Sequence, residues 1–133
     1  MTYFDTSVLV GVLLRSHPNH KECLAALEST KEGFTCGHAL AEAFSALTAS
    51  YRVPNDIAAE LVLSLPTRLD VEPLSLGDYE TAITEARKRG VMGGGIYDSL
   101  HVTHARRRGA NRVFTRDPGD LQHVASDMEI IVP

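Results

Sequence analysis

Residues 1–15 read MTYFDTSVLVGVLLR, an apolar run interrupted by a single carboxylate at Asp5. Thr2, Tyr3 and Phe4 have the character of a strand, and Val8, Leu9, Val12 and Leu13 follow at helical spacing. Asp5 stands at the joint, which allows a bland meaning and a sharp one. As a helix N-cap it would only satisfy backbone N–H groups. At the C-terminal end of a first strand it would sit where open α/β sheets place their chemistry. One acid does not decide between them, so the rest of the chain has to.

The chain has 133 residues, enough for one domain with a real core and too few for two. We expect a single domain over residues 1–133. Thirteen Lys and Arg against seventeen Asp and Glu give a net charge of −4. That balance excludes a general electrostatic grip on nucleic acid or an anionic membrane, but not a nucleic-acid substrate whose phosphates are met by bound metal ions. Cys23 and Cys36 have no finger or CxxC spacing and read as buried thiols without chemistry. The apolar stretch from Val8 to Leu14 is too short for a membrane span and lacks the flanks of a signal peptide, so a cytoplasmic protein is expected.

Short β-type runs alternate with helical ones. Strands are expected at 2–4, 34–36, 69–71, 112–115 and 129–132, and helices at 7–14, 20–29, 39–51, 56–65, 76–89 and 97–108. Prolines mark the joints, and Gly90 and Gly109 read as helix ends. Strand then helix, repeated, predicts a three-layer α/β/α fold around a central, mostly parallel sheet of about five strands.

In that fold the carboxyl ends of the strands and the amino ends of the following helices share one rim. Asp5 follows the first strand. Glu42 lies in the first turns after the second strand, off the apolar stripe of Leu40, Ala43, Phe44 and Leu47. Asp98 opens the last long helix, and Asp117 comes two residues after Thr115 at the end of the fourth strand. Each alone reads as a cap or a solvated acid. Together they would repel, since two charges about 4 Å apart cost roughly 4 kcal/mol at an effective dielectric of about 20. A hard, oxygen-preferring cation such as Mg²⁺ or Mn²⁺ would resolve the conflict, and metal-activated water attack on a phosphodiester is the chemistry such a site supports.

The stretches FDTSVL (4–9), HALAEAFSAL (38–47), GGGIYDSLHVTHARRRGA (93–110) and VFTRDPGDL (113–121) resemble the PIN-domain family, most closely the VapC-type ribonuclease toxins of toxin–antitoxin pairs. The resemblance runs over nearly the whole chain. It implies Asp5, Glu42, Asp98 and Asp117 as catalytic, metal-binding carboxylates. Ser7 and Thr115 are implied as hydroxyls that orient them, and Asp120 as an accessory acid ranked below the four. It further implies a Mg²⁺- or Mn²⁺-dependent endoribonuclease, an RNA substrate, a homodimer and a small antitoxin partner. The rival is a PIN-like module that binds RNA or protein without turnover; its mark would be a lost acid, and all four are present.

Other residues receive plainer readings. His101 and His104 form a helical pair without a third ligand and read as packing or surface residues. Arg106, Arg107 and Arg108 end the helix that Asp98 begins and complement its dipole. Arg116 is the expected phosphate contact, while Phe44 and Tyr51 are expected in the core or at a contact between copies. The segment GVMGGGIYDS (90–99) has no Lys of the phosphate-loop kind, which removes a nucleotide-triphosphate reading.

Overall fold

Strand β1 (Thr2–Phe4) is buried at every residue, as a central strand covered on both faces should be. In this computed structural model, which describes residues 1–133, β1 pairs in parallel with β2 (Gly33–Cys36) on one side and β4 (Arg112–Phe114) on the other. β3 (Asp70–Glu72) adds beyond β2, and β5 (Glu129–Ile131) beyond β4. The order is β3-β2-β1-β4-β5, with every neighbouring pair parallel.

This order places the site. The chain steps outward from β1 to β3 and then returns across the sheet to β4. Crossovers between parallel strands are right-handed, so the reversal sends the later helices to the opposite face. Accordingly, α1 (Thr6–Leu13) packs against α2 (His20–Ser29) and α3 (Gly37–Ser45), and α3 against α4 (Asn55–Leu63). Separately, α6 (Gly95–Arg107) packs against α5 (Leu76–Glu85) and α7 (Pro118–Leu121). Between β1 and β4 the two sets part, and the carboxyl ends of those strands border the crevice that open α/β sheets use for ligands.

The core is continuous around the sheet: Phe4, Val8, Leu9, Phe34, Leu47 and Val113 are all essentially inaccessible. Gly11 permits the close α1–α2 contact, because a Cβ there would lie 2.6 Å from the Cys23 sulfur. Both cysteines are free and buried.

Most element boundaries shift by one or two residues from expectation, and four differences are larger or change the local structure. The helix expected at 39–51 loses its α geometry after Ser45 and continues as a π-type turn over Ala46–Ser50. α5 stops at Glu85 rather than Arg89, because Gly90 adopts a left-handed φ of 66° and the Val91 N–H closes back onto the Ala86 carbonyl at 2.8 Å. α6 starts two residues early, at Gly95. The short α7 was not anticipated, although Pro118 at its first position is preorganised for a helix. No helix is long and apolar enough to cross a membrane.

Candidate active site at the sheet switch point

Asp5 occupies the N-cap position of α1, yet its side chain makes no cap hydrogen bond. The backbone is held otherwise: its N–H donates to the Phe114 carbonyl at 3.0 Å, and its own carbonyl receives the Val8 and Leu9 N–H groups. The carboxylate faces two hydroxyls instead. Ser7 Oγ and Thr115 Oγ1 donate to the same oxygen, Oδ2, at 2.9 and 2.8 Å. Each hydroxyl in turn accepts a backbone N–H from the loop after β4, Arg116 to Ser7 at 2.9 Å and Asp117 to Thr115 at 3.0 Å. The start of α1 is thus cross-linked to the end of β4, and Asp5 is fixed in direction while its Oδ1 accepts none of these bonds.

Asp5, Glu42, Asp98 and Asp117 line one cavity of 440 Å³, together with Ser7 and Arg116. Asp98 lies in the first turn of α6 and its carboxyl is pushed up to about 6, by burial first and then by the charges of Asp5, Asp120 and Glu42. Asp117, at the N-cap position of α7 and again without a cap bond, is raised by burial and by Asp5 and Asp120, against the opposing charge of Arg116. Asp120 is exposed on α7 outside the cavity lining, so it acts on the rim through its field. Arg116 lines the cavity, and its guanidinium donates to the Pro133 carbonyl.

Glu42 behaves differently from the other acids. Partial burial works to raise its pKa, but the net effect is lowering, through His101, His38 and the Thr6 hydroxyl. Thr6 Oγ1 donates to Oε1 at 3.3 Å, and His101 Nε2 forms a short contact with the same oxygen. His101 is buried, and although burial opposes a charge on the ring, Tyr3, Cys36 and Glu42 hold its pKa well above the ordinary value. Protonated, it donates from Nε2 to Glu42 and from Nδ1 to the Tyr3 hydroxyl oxygen at 2.5 Å, while the Tyr3 O–H donates to Cys36 Sγ at 3.2 Å.

This chain of Tyr3, Cys36 and His101 behind Glu42 escapes a search for metal-ligand spacing, since a hydrogen-bonding histidine needs none. Its available signal is positional: Tyr3 lies two residues before Asp5 and His101 three after Asp98. Tyr51 is not a core residue: it is 45% exposed and lines the acid cavity.

The arginines at the far end of α6 do more than complement a dipole. Arg106 grips Asp127 with two bonds of 2.7 Å, Arg107 reaches the buried Asp78 at 2.7 and 3.1 Å, and Arg108 pairs with Glu72 at 3.0 Å while lying over the Phe34 ring. They are structural ties, away from the rim.

As they stand, no three His, Cys, Asp or Glu side chains are grouped so as to hold a metal ion. The donor set nevertheless suits a hard cation, being all oxygen at the rim, with two of its acids raised by neighbouring negative charge.

Comparison with known proteins agrees with this geometry. The model of the PIN domain matches residues 2–126. Ribonuclease VapC27 of Mycobacterium tuberculosis is 33% identical over 128 residues, spanning 85% of this chain and 82% of that protein. Among solved structures, the sarcin–ricin-loop-cleaving toxin VapC20 of Mycobacterium tuberculosis superposes with a TM-score of 0.76 at 17% identity, covering 96% of each chain. VapBC2 of Rickettsia felis, bound to a fragment of its promoter DNA, gives 0.73 at 18% identity over 100% of this chain and 99% of that one. A sheet whose switch point carries this ring of acids, together with a match over nearly every residue, places the chain in the PIN-domain family, beside its VapC-type members.

Proposed function

We propose that the protein is a metal-dependent endoribonuclease and the toxin of a toxin–antitoxin pair. The observation that carries this reading is the convergence of Asp5, Glu42, Asp98 and Asp117 on one cavity, with Asp98 pushed up to about 6 by burial and its acidic neighbours. Asp5, Asp98 and Asp117 would hold Mg²⁺ or Mn²⁺, with Glu42 completing the set. When bound, the ion supplies a water of lowered pKa and offsets charge on the reacting phosphate.

The chain's own residues do the positioning. Ser7 and Thr115 fix the direction of Asp5, and His101 restrains Glu42 through Nε2. Arg116, on the cavity wall, is suited to meet a phosphate oxygen. That VapC27 is a ribonuclease and that the superposed VapC20 cleaves the sarcin–ricin loop support RNA as substrate. A small antitoxin partner is supported by the VapBC2 assembly. A homodimer and a cytoplasmic location belong to the same reading.

The experiment is cleavage of RNA by protein freed of any partner. Cutting in Mg²⁺ or Mn²⁺, arrest in EDTA, and 5′-phosphate with 3′-hydroxyl ends are expected. Cleavage that persists in chelator, or leaves 2′,3′-cyclic phosphate, overturns the mechanism.

A further inference from the structure

The four acids share the lining of the 440 Å³ cavity with Val10, His17, Ala46, Ser50 and Tyr51. Its size lies within the range of clefts that take small ligands. Two of these residues, His17 and Tyr51, carry aromatic rings. Tyr51 and His17 have ring centroids 6.1 Å apart and planes inclined at 49°.

Both are held by the backbone. The π-type turn Ala46–Ser50 ends with the Tyr51 N–H donating to the Ala46 carbonyl at 3.2 Å, five residues back. The next residue, Arg52, adopts φ 55°, and the Val53 N–H returns to the Leu47 carbonyl at 2.9 Å. A left-handed residue and that return bond end many helices, but glycine normally supplies the conformation. Here a bulky residue adopts it, directly after the tyrosine. π-type turns recur at functional sites. On the other side, His17 Nδ1 accepts the Asn19 N–H at 3.0 Å, so a neutral His17 carries its proton on Nε2.

Net charge completes the case. At −4 the protein cannot draw affinity for RNA from releasing many counterions. Stacking on an aromatic face needs no net charge and tolerates any base, provided that the base is unpaired.

We propose that Tyr51 and His17 form a nucleobase-stacking subsite that receives an unpaired base next to the scissile phosphate. This rests on the endoribonuclease reading and assigns the contact with the base to Tyr51 and His17. Tyr51 supplies the π-face and His17 flanks it, while the acids of the same cavity address the phosphate.

The test uses an oligoribonucleotide that the parent cleaves in Mg²⁺. Tyr51→Ala is expected to raise KM by about 5- to 150-fold, the usual scale for losing one base–aromatic stack, with kcat changed far less. Tyr51→Phe should restore the parent KM, and Tyr79→Ala, an equally exposed tyrosine on α5, should leave it unchanged. An abasic nucleotide beside the cut should weaken the parent as much as Tyr51→Ala does and add nothing to that variant. An independent arm needs no cleavage: 2-aminopurine placed in a single-stranded oligoribonucleotide, in EDTA, should be quenched by the parent and not by Tyr51→Ala. If the parent cuts no RNA but quenches through Tyr51, the enzymatic reading fails and the subsite stands. Equal KM and equal quenching in parent and Tyr51→Ala overturn the subsite. So does a Tyr51→Ala protein whose sedimenting mass falls while the abasic penalty persists, which would assign Tyr51 to a contact between copies.

Discussion

Asp78 and Asp98 occupy the same kind of place in the sequence, the first turn of a helix, and the fold gives them opposite fates. At Asp78, although burial works to raise its pKa, Arg107, the Ser75 backbone N–H and His104 lower the carboxyl to about 2. It completes a capping box, with Ser75 Oγ accepting the Asp78 N–H at 3.1 Å and the carboxylate accepting the Ser75 N–H at 2.9 Å. Asp98 has none of these partners: burial raises it first, then Asp5, Asp120 and Glu42, against the opposing charge of His101. One acid ties α5 to α6. The other is held above its ordinary value by burial and by neighbouring acids. An acid at a helix start is a structural tie where a cation binds it directly and a candidate ligand where burial and other acids outweigh the nearest cation.

The contrast breaks most sharply in activity. Asp98→Asn keeps the shape and removes the charge, and on the proposed reading cleavage should fall by about 100-fold or more, the scale for losing a group that stabilises developing charge. Asp78→Asn should leave the rate per folded molecule near that of the parent. Active-site titration alongside an RNA cleavage assay checks both. An Asp98→Asn protein that cuts at the parent's rate would erase the distinction.

Stability should respond in the opposite sense, more modestly. A carboxyl lowered from 3.8 to about 2 stabilises the fold by about 2 kcal/mol when ionised. Asp78→Asn should lose about that much at neutral pH. Because the folded value is depressed, this stabilisation is complete above the unfolded value and disappears as pH falls from about 4 towards 2. Urea melts should therefore show parent and Asp78→Asn converging across that window; a constant gap would mean that Arg107 and His104 do not act through the Asp78 charge.

The sheet and the acids at its strand ends were legible in the sequence, and the polar contacts behind them were not. The run Thr2–Phe4 followed by Asp5 announces a buried strand with an acid at its end, and the parallel sheet follows from the alternation of elements. Ser7 and Thr115 are reached from the D-T-S and T-R-D stretches. Hidden from the sequence was the third dimension of its polar residues: nothing local tells that His101 is buried against Tyr3 and Cys36, or that Arg107 spans to Asp78, 29 residues away. The π-type turn was equally hidden, because Ala46, Leu47 and Ala49 are good helix formers and the change is imposed by how the segment ends at Arg52 and Val53. That is why Tyr51 reads as a core residue in one dimension and stands at a cavity in three.

The smallest expected effect sharpens the comparison most. Asp98 is raised from 3.8 to about 6 in the folded protein, so the folded state holds its proton more tightly than the unfolded one. Its contribution favours folding below about pH 4 and is lost as pH rises through about 6, the reverse of Asp78 and in an adjoining window. Asp98→Asn should accordingly be more stable than the parent at pH 7 in EDTA. The half-open position of the side chain and screening by solvent hold the gain to under about 1 kcal/mol. That gain should close between pH 6 and pH 4, whereas the Asp78→Asn deficit closes only below about pH 4. Added Mn²⁺ should raise the parent's melting temperature by mass action and raise that of Asp98→Asn less. A metal-free Asp98→Asn protein less stable than the parent at pH 7 would show that Asp98, like Asp78, is a structural acid, and the two helix starts would then teach one lesson instead of two.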